Sequence, residues 1–288
     1  MKLQSVKINP TRFHKSQLAF YAYLIPLAAF MAIPIVFIMF HAFKPMDELF
    51  AYPPQFLVYK PTLDNFREMF TTARGSITPI SRYVFNSFVV TVCVVVGTVT
   101  ISTLAGFALS KMRFKLKNVF FTVNNAALMF VPVAVTIPRF MTVTFLRIDD
   151  TFLAHILPLL AMPVALFLIK QFMDQIPNEL IEAATVDGAG PLMVYFKVIL
   201  PMIKPAIATA AILVFQLVWN NIETSAIFTT QESVRTLAFY MNTLSATGTV
   251  AGQGMAAAAS LIMFIPNLIL FIILQSNVMN TMAHSGLK

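Results

Sequence analysis

The chain has 288 residues, of which 58% are hydrophobic and only 11% charged, with a mean hydropathy of +0.78. A soluble domain carries about 45–50% apolar and about 25% charged residues, so this composition excludes a disordered tail, a secreted disulfide scaffold and a cytosolic enzyme, and it places the chain in a membrane. Twenty Lys and Arg against twelve Asp and Glu leave a net +8, which in a membrane chain marks the cytoplasmic side rather than a nucleic-acid partner.

Six stretches have the length and apolarity of helical spans, which need about 20 residues each. The first, Leu18–Phe43, exceeds a signal-peptide core and meets no small-x-small site before Lys44–Glu48, so a retained helix is expected. The outside segment that follows, Lys44 to Tyr83, holds Pro45, Pro53, Pro54, Pro61 and Pro79. Extended turns are expected there, with one short helix near Leu63–Phe70 capped by Thr62. The second span, Val84–Ser110, contains the single cysteine, Cys93, read as a small buried thiol. It also carries Gly97, Ser102, Ala105 and Gly106, which suit close helix–helix contact. The third and fourth spans are Val119–Leu146 and Phe152–Phe172; the fifth is Ala206–Phe228; the sixth, Gly254–Asn277, holds a second small-residue run from Ala256 to Ser260. Prolines within these spans (Pro26, Pro34, Pro132, Pro138, Pro158, Pro266) predict kinks that neighbouring helices can satisfy. The abundant Met and Phe are ordinary packing and lipid-facing residues. No linker, low-complexity tract or internal repeat divides the chain, and the missing repeat weighs against a transporter built from duplicated halves.

Six spans with an inward N-terminus put twelve basic residues inside: Lys2, Lys7, Arg12, Lys15, Lys111, Arg113, Lys115, Lys117, Lys170, Lys197, Lys204 and Lys288. Four acids face them: Asp174, Glu179, Glu182 and Asp187. Outside, Lys44, Lys60, Arg67, Arg74, Arg82, Arg147 and Arg235 are balanced by Asp47, Glu48, Asp64, Glu68, Asp149, Asp150 and Glu232. The whole excess therefore falls on one face, which predicts both termini in the cytoplasm. The cluster Lys111–Lys117 is the strongest vote, as an orientation signal and headgroup contact beside a span.

The most informative segment runs from Gln175 through Pro177, Glu182-Ala183-Ala184, Asp187 and Gly188 to Val198-Ile199-Leu200-Pro201, between the fourth and fifth spans. Pro177 suits the first turn of a helix. Glu179 and Glu182 then lie toward its positive end, the helix runs about ten residues to Asp187, and Gly188 ends it. A second helical piece, Leu192–Ile199, is stopped by Pro201 and Pro205. Leu180, Ala183, Ala184 and Asp187 share one side, whose lack of bulk permits close approach by another protein. So short a helix is marginal in water unless it packs against something. On this physics alone, an interfacial connector and a docking element are both open.

Glu182-Ala183-Ala184, three residues, Gly188, nine residues, then Val198-x-Leu200-Pro201 resembles the signature of membrane permeases of binding-protein-dependent ABC importers. Pro61-Thr-Leu-Asp-Asn-Phe66, Asn86-Ser87, Trp219-Asn220 and Ser285-Gly-Leu-Lys288 are similar to the carbohydrate branch of that family, in particular its maltose-type smaller permease subunit. One departure is Asn221, where an acidic residue often follows the Trp-Asn pair; Glu223 comes two positions later. The resemblance implies an all-α, type I importer fold of about six transmembrane helices with a cytoplasmic coupling helix. It implies a single permease domain over 1–288, with the first span and outside segment at 18–83 and a core five-span unit at 84–280. It further implies a bacterial cytoplasmic-membrane protein that pairs with a second, different permease subunit. An ATPase dimer would bind at the cytoplasmic face, an extracytoplasmic binding protein would deliver a sugar or oligosaccharide, and access would alternate by a rigid-body switch. ATP and Mg would belong to the ATPase, with no cofactor in this chain. In the coupling loop, Glu182 would make a charged contact with the ATPase, Ala183 and Ala184 would allow the close fit, Asp187 and Gly188 would end the helix, and Leu200-Pro201 would complete the signature.

The chain has no Gly-x-x-x-x-Gly-Lys-Ser/Thr loop to hold a nucleotide, no His-Glu-x-x-His, and no Gly-x-Ser-x-Gly elbow. Its histidines (His14, His41, His155, His284) are too scattered to suggest a metal site. Arg139 and Glu223 are the charges left within predicted spans, where an ionisable group faces a cavity or a partner. Either they mark a candidate solute path with Trp219, Asn220 and Asn221, since aromatic rings beside amides and carboxylates suit sugars, or they lie near the outer ends of their spans and simply reach water. The outside loop Thr229–Gln253, flexible at Gly248, Gly252 and Gly254, is either a plain connector or, as the resemblance implies, a loop that helps evict solute from the binding protein. A secondary transporter working alone on an ion gradient, an intramembrane enzyme, and a permease of the same type for a non-carbohydrate solute are the rival readings.

Overall fold

A computed structural model describes residues 18–75, 78–245 and 250–285. Among them the chain is helical and contains no strand. In order, the helices are α1 (Leu18–Phe43), α2 (Met46–Leu49), α3 (Asp64–Gly75), α4 (Ile80–Lys111), α5 (Lys117–Leu128), α6 (Thr136–Phe145), α7 (Phe152–Leu160), α8 (Pro163–Asp174), α9 (Asn178–Val186), α10 (Pro191–Val194), α11 (Leu200–Met202), α12 (Lys204–Trp219), α13 (Glu223–Phe228), α14 (Leu237–Ser245) and α15 (Val250–Ser285). Three single helices, α1, α4 and α15, are long and apolar enough to cross a membrane, and three bent pairs raise that number to six.

The bent pairs take the kinks expected from prolines further, to outright breaks. The third span breaks by 110° between α5 and α6. Val131 is extended and Pro132 opens a 3-10 turn, because the residue before a proline is pushed out of the helical region. The fourth bends by 41° between α7 and α8, ahead of Pro163 rather than at Pro158. The fifth ends at Trp219, so Glu223 opens a separate helix instead of lying within a span. Before it, the piece expected at Leu192–Ile199 begins at Pro191 and continues through a π-helical turn at Tyr195–Ile199 to Met202, past Pro201. A 78° bend then leads into α12.

Helix α4 is the hub, packed against α7, α8 and α12 around buried Val90, Val94, Phe107, Ile169, Met173, Ile199 and Val214. Its small residues act as expected: a Cβ at Gly97 would lie 2.5 Å from Leu160, and one at Gly106 would lie 3.2 Å from Ile169. The same stretch repairs the broken span. Pro163 has no N–H to give the Leu159 carbonyl four residues back, and the Thr98 hydroxyl of α4 stands 3.5 Å from that carbonyl while donating at 3.1 Å to that of Leu160, which also accepts the Met162 N–H (3.2 Å). Ala258 and Ala259 of α15 are likewise buried.

Four further expectations are corrected. Cys93 is exposed on α4, because on a membrane helix the exposed apolar face meets lipid, and a thiol is as suited to that face as to the core. Thr62 does not cap α3; its Oγ1 has no hydrogen-bond partner, and its N–H donates to the Phe43 carbonyl at 2.8 Å. Lys44 is buried rather than solvated, its Nζ donating to the Gln55 carbonyl. Burial pushes that ammonium below the ordinary lysine range, opposed by Glu48. The Thr229–Gln253 segment contains a 3-10 turn and α14, and both Gly252 and Gly254 lie inside α15. At Gly254 a Cβ would collide with Asn65 of α3, so this glycine serves close approach. Asn65 in turn donates to the carbonyls of Ala42 (3.0 Å) and Lys44 (2.8 Å), closing the end of α1. Gly248, the N-terminal basic residues Lys2, Lys7, Arg12 and Lys15, and Lys288 lie outside the described residues.

Candidate functional site

Two candidate sites follow from the sequence: the short helix that carries Glu182-Ala183-Ala184, and the cavity beside Arg139 and Glu223. The candidate docking helix is α9. It starts at Asn178, with Pro177 one place earlier than expected, as the cap. Its end is built by Gly188, whose φ of +84° is open to glycine at no steric cost. The Gly188 N–H donates to the Thr185 carbonyl (3.0 Å), and the Ala189 N–H donates back to the Ala184 carbonyl (2.9 Å). This is the paired Schellman closure, which satisfies the last carbonyls without help from elsewhere.

Most of α9 is uncovered. Glu179, Leu180, Glu182, Ala183, Thr185 and Asp187 are exposed, and Val186 is 88% exposed. Only Ile181, Ala184 and Ala189 pack partly against the core. Of the face expected to be free, Leu180, Ala183 and Asp187 are so, whereas Ala184 turns inward. Leu200 packs on the core and Pro201 is exposed. The helix therefore presents two carboxylates, an alanine and bare aliphatic residues at the surface.

The second site is a cavity of about 500 Å³ between α5, α6, α7, α8 and α12–α13. Arg139 and Glu223, 84 residues apart in the chain, meet in its wall, with Arg139 Nη1 at 3.2 Å from Glu223 Oε1. The Thr136 hydroxyl also donates to Glu223 Oε1 at 3.2 Å. Both charged side chains keep about a quarter of their surface open (25% and 29%), so the pair is half-buried and reachable from the cavity. Asn221, Leu217, Pro158 and Met162 share that lining.

The structure divides the five sequence-predicted path residues. Arg139, Asn221 and Glu223 share the cavity. Trp219 is buried against α15, with its indole N–H donating to the Met263 carbonyl (3.2 Å) and its ring stacked on Phe215. Asn220 is exposed toward a smaller cleft with Met241, Asn242 and Ser260. Successive residues at a helix end point to different sides, which sequence adjacency conceals.

His155, to which the sequence assigned no role, is fully buried and organises this region. The Thr224 hydroxyl lies 2.9 Å from His155 Nδ1 and 2.8 Å from Asn221 Oδ1, while His155 Nε2 donates to the Val234 carbonyl at 3.0 Å. The loop containing Val234 is also held by Asn86, whose amide donates to the Ser233 and Arg235 carbonyls (both 2.9 Å), and by Ser87, whose Oγ accepts the Leu237 N–H (2.7 Å). The Asn86-Ser87 pair is thus a loop clamp. A single buried histidine carries no periodic signal, so only its type could have drawn attention. On the same side Asp150 accepts from the N–H groups of Thr230 (2.6 Å) and Gln231 (2.8 Å) and from the Thr230 hydroxyl (2.6 Å). Partial burial raises its carboxyl pKa, but these bonds and nearby Arg235 outweigh it and hold the group below its ordinary range.

Residues 98–278 match the family described as binding-protein-dependent transport system inner membrane component. The chain is 30% identical over 258 residues to the sulfoquinovosyl glycerol transport system permease protein SmoH of Agrobacterium fabrum, covering 88% of each chain. It is 31% identical to the sn-glycerol-3-phosphate transport system permease protein UgpE of Pectobacterium atrosepticum, over 80% of this chain and 82% of that one. The inner membrane ABC transporter permease protein YcjP of Escherichia coli is 29% identical over 95% and 97%. Among solved structures, a bacterial ABC transporter that imports the acidic polysaccharide alginate superposes with a TM-score of 0.78, over 93% of this chain and 99% of that chain, at 20% identity, showing the same fold. With the matched region covering most of the chain and the signature's Glu182-Ala183-Ala184 and Gly188 on and at the end of an exposed helix, this chain belongs to the family of binding-protein-dependent inner-membrane transport components, as a permease subunit of an ABC importer.

Proposed function

We propose that this permease pairs with a second permease subunit to import a sugar or sugar-like polyol by alternating access, driven by separate ATPase subunits that bind ATP and Mg and dock on α9. One observation carries the proposal: α9 is a helix closed by its own Schellman turn and left almost bare by the rest of the chain. Its two carboxylates sit beside small residues, Ala183 and Ala184, that let another surface come close. Orientation follows the basic residues, with α9 and Lys111–Lys117 in the cytoplasm, both termini on that side, and Asp150 and Arg235 outside.

The 500 Å³ cavity beside Arg139, Asn221 and Glu223 is the proposed solute route. In an otherwise apolar lining, its half-buried ion pair and Asn221 offer donors and acceptors with no net charge, which can meet hydroxyls while the apolar wall meets a sugar's ring face. Carriage of sulfoquinovosyl glycerol and glycerol 3-phosphate by relatives supports a sugar or polyol class. The test is uptake of radiolabelled sugars, glycosides and glycerol 3-phosphate by cells co-expressing this chain with its neighbouring permease, ATPase and binding-protein genes. Uptake is expected only with all partners present. Uptake by this chain alone on an ion gradient would make it a secondary transporter, and transport confined to amino acids or ions would overturn the sugar assignment.

A further inference from the structure

Four helices meet at the cytoplasmic end of the core through bonds that run across, rather than along, the chain. Lys111, the last residue of α4, donates from Nζ to the Ile176 carbonyl (2.6 Å) and to Asn178 Oδ1 (3.2 Å). These two acceptors straddle Pro177 at the entrance to α9. One residue earlier, the Ser110 hydroxyl donates to Asp174 Oδ1 (2.6 Å), at the end of α8. Lys170, one turn back on α8, donates to Asp174 Oδ2 (2.6 Å), and its ammonium lies 4.1 Å from the ring centroid of Phe121 on α5. Lys117 of α5 closes the set by donating to the Ser110 carbonyl (2.8 Å). Beneath this polar layer, buried Ile169 and Met173 of α8 press against Gly106 of α4.

The arrangement answers a mechanical question. Because α9 is nearly bare, a push on it reaches the spans only through its attachments. Its covalent entrance is a single extended residue, Pro177 (ψ 138°), a joint that on its own transmits tension but not rotation. Lys111 bonds to both sides of that joint, and charge-assisted bonds are about twice as strong as neutral ones. The cluster also separates two kinds of basic residue. Arg113 and Lys115 are exposed, as an orientation signal requires, whereas Lys111 and Lys117 turn inward onto backbone carbonyls.

We propose that Lys111, Ser110, Asp174 and Lys170 form a clasp that makes α4, α8 and the head of α9 one rigid lever, so that displacement of α9 is delivered to the spans undiminished. They are positioning residues for coupling, and the proposal rests on the reading of α9 as the ATPase dock. The native Cys93 on the exposed face of α4 and a Val186→Cys thiol on α9 supply two spin-label positions, in the assembled transporter with partner subunits free of cysteine. Their distance is measured by pulsed electron resonance without nucleotide and after ATP–vanadate trapping. The expected result is one narrow distance, unchanged within about 3 Å on trapping. In the Lys111→Met/Asp174→Asn variant the trapped-state distance broadens beyond that limit, while ATP hydrolysis stays within about threefold of the unmutated complex. Ser110→Ala, which removes one bond and no charge, gives partial broadening, and Lys111→Arg keeps the narrow distance because it can still reach both acceptors. A shift larger than about 3 Å in the unmutated complex, or narrow distances in both the double variant and Ser110→Ala, overturns the clasp. Glu182→Lys tests the dock separately: ATPase subunits that still co-purify and still drive uptake would refute the docking reading, whatever the distances show.

Discussion

Gly188 offers the sharpest test of the docking helix, because the structure separates backbone strain from crowding. A Cβ at this position would meet nothing within 4 Å, so a side chain is opposed only by the φ of +84°. A left-handed conformation costs an ordinary residue about 1–2 kcal/mol, which corresponds to roughly a fivefold to thirtyfold loss of the closed form. If the residue escapes that strain, it gives up the 3.0 Å and 2.9 Å closing bonds to Thr185 and Ala184, each contributing about 1 kcal/mol. Either way α9 loses its fixed end. Gly188→Asn, whose side chain tolerates the left-handed region, should stay near normal. Gly188→Ala should weaken ATPase docking about fivefold, and the β-branched Gly188→Val about thirtyfold or more. Affinity for purified ATPase subunits and ATP-driven uptake in vesicles read the order directly. Equal behaviour of Gly188→Val and the unmutated chain would refute the argument, and Gly188→Asn as poor as Gly188→Val would show that space, not dihedral angle, decides.

Glu223→Gln should lower uptake and cost about 1–2 kcal/mol in thermal unfolding, discounted for the pair's partial exposure, since Arg139 keeps its charge without a counter-ion. Adding Arg139→Met should restore most of that stability but not uptake; additive losses would show that the pair is uncoupled. Thr98→Val keeps the shape of the side chain but removes the hydroxyl that the Leu160 carbonyl shares with the Met162 N–H (3.2 Å), and should cost about 0.5–1 kcal/mol, seen as a lower unfolding temperature in detergent; no change would mean that the Met162 bond alone satisfies the carbonyl. Asp150 predicts a pH effect. Its carboxyl is held below the ordinary value of 3.8, so its bonds to Thr230 and Gln231 contribute fully above that value and are lost as pH falls through the lowered one. The unfolding temperature of the native chain should therefore fall more steeply than that of Asp150→Asn below pH about 4; parallel curves would contradict the assignment.

The elements legible from sequence were those fixed by local chemistry. Leu18–Phe43 matches α1 residue for residue, and Glu182 to Gly188 announces a short helix with a glycine end. What stayed hidden depends on meetings between distant residues. Nothing near Arg139 reveals that Glu223 pairs with it in a cavity wall, nor does the Trp219–Asn221 tripeptide show that its three side chains face a core, a cleft and a cavity. The 110° break after α5 falls at Pro132, where a kink was expected, but its size was not legible, since hydropathy averages over Val131-Pro132 without sensing direction. Cys93 was misplaced because burial intuition from soluble proteins fails where the exposed face meets lipid. The basic cluster was legible as a charge signal, but the inward turn of Lys111 and Lys117 was not.

The repair at the α7–α8 break has a consequence for motion. A helix that bends in lipid ordinarily strips a carbonyl of its donor, and that exposure stiffens it. Here one hydroxyl, Thr98 Oγ1, stands within reach of two consecutive carbonyls, 3.1 Å from Leu160 and 3.5 Å from Leu159. As the angle between α7 and α8 opens or closes, the hydroxyl can shift toward the Leu159 carbonyl while the Met162 N–H, at 3.2 Å, keeps a donor on that of Leu160. The break is thus tied to the hub helix α4 by a polar contact that tolerates more than one bend angle.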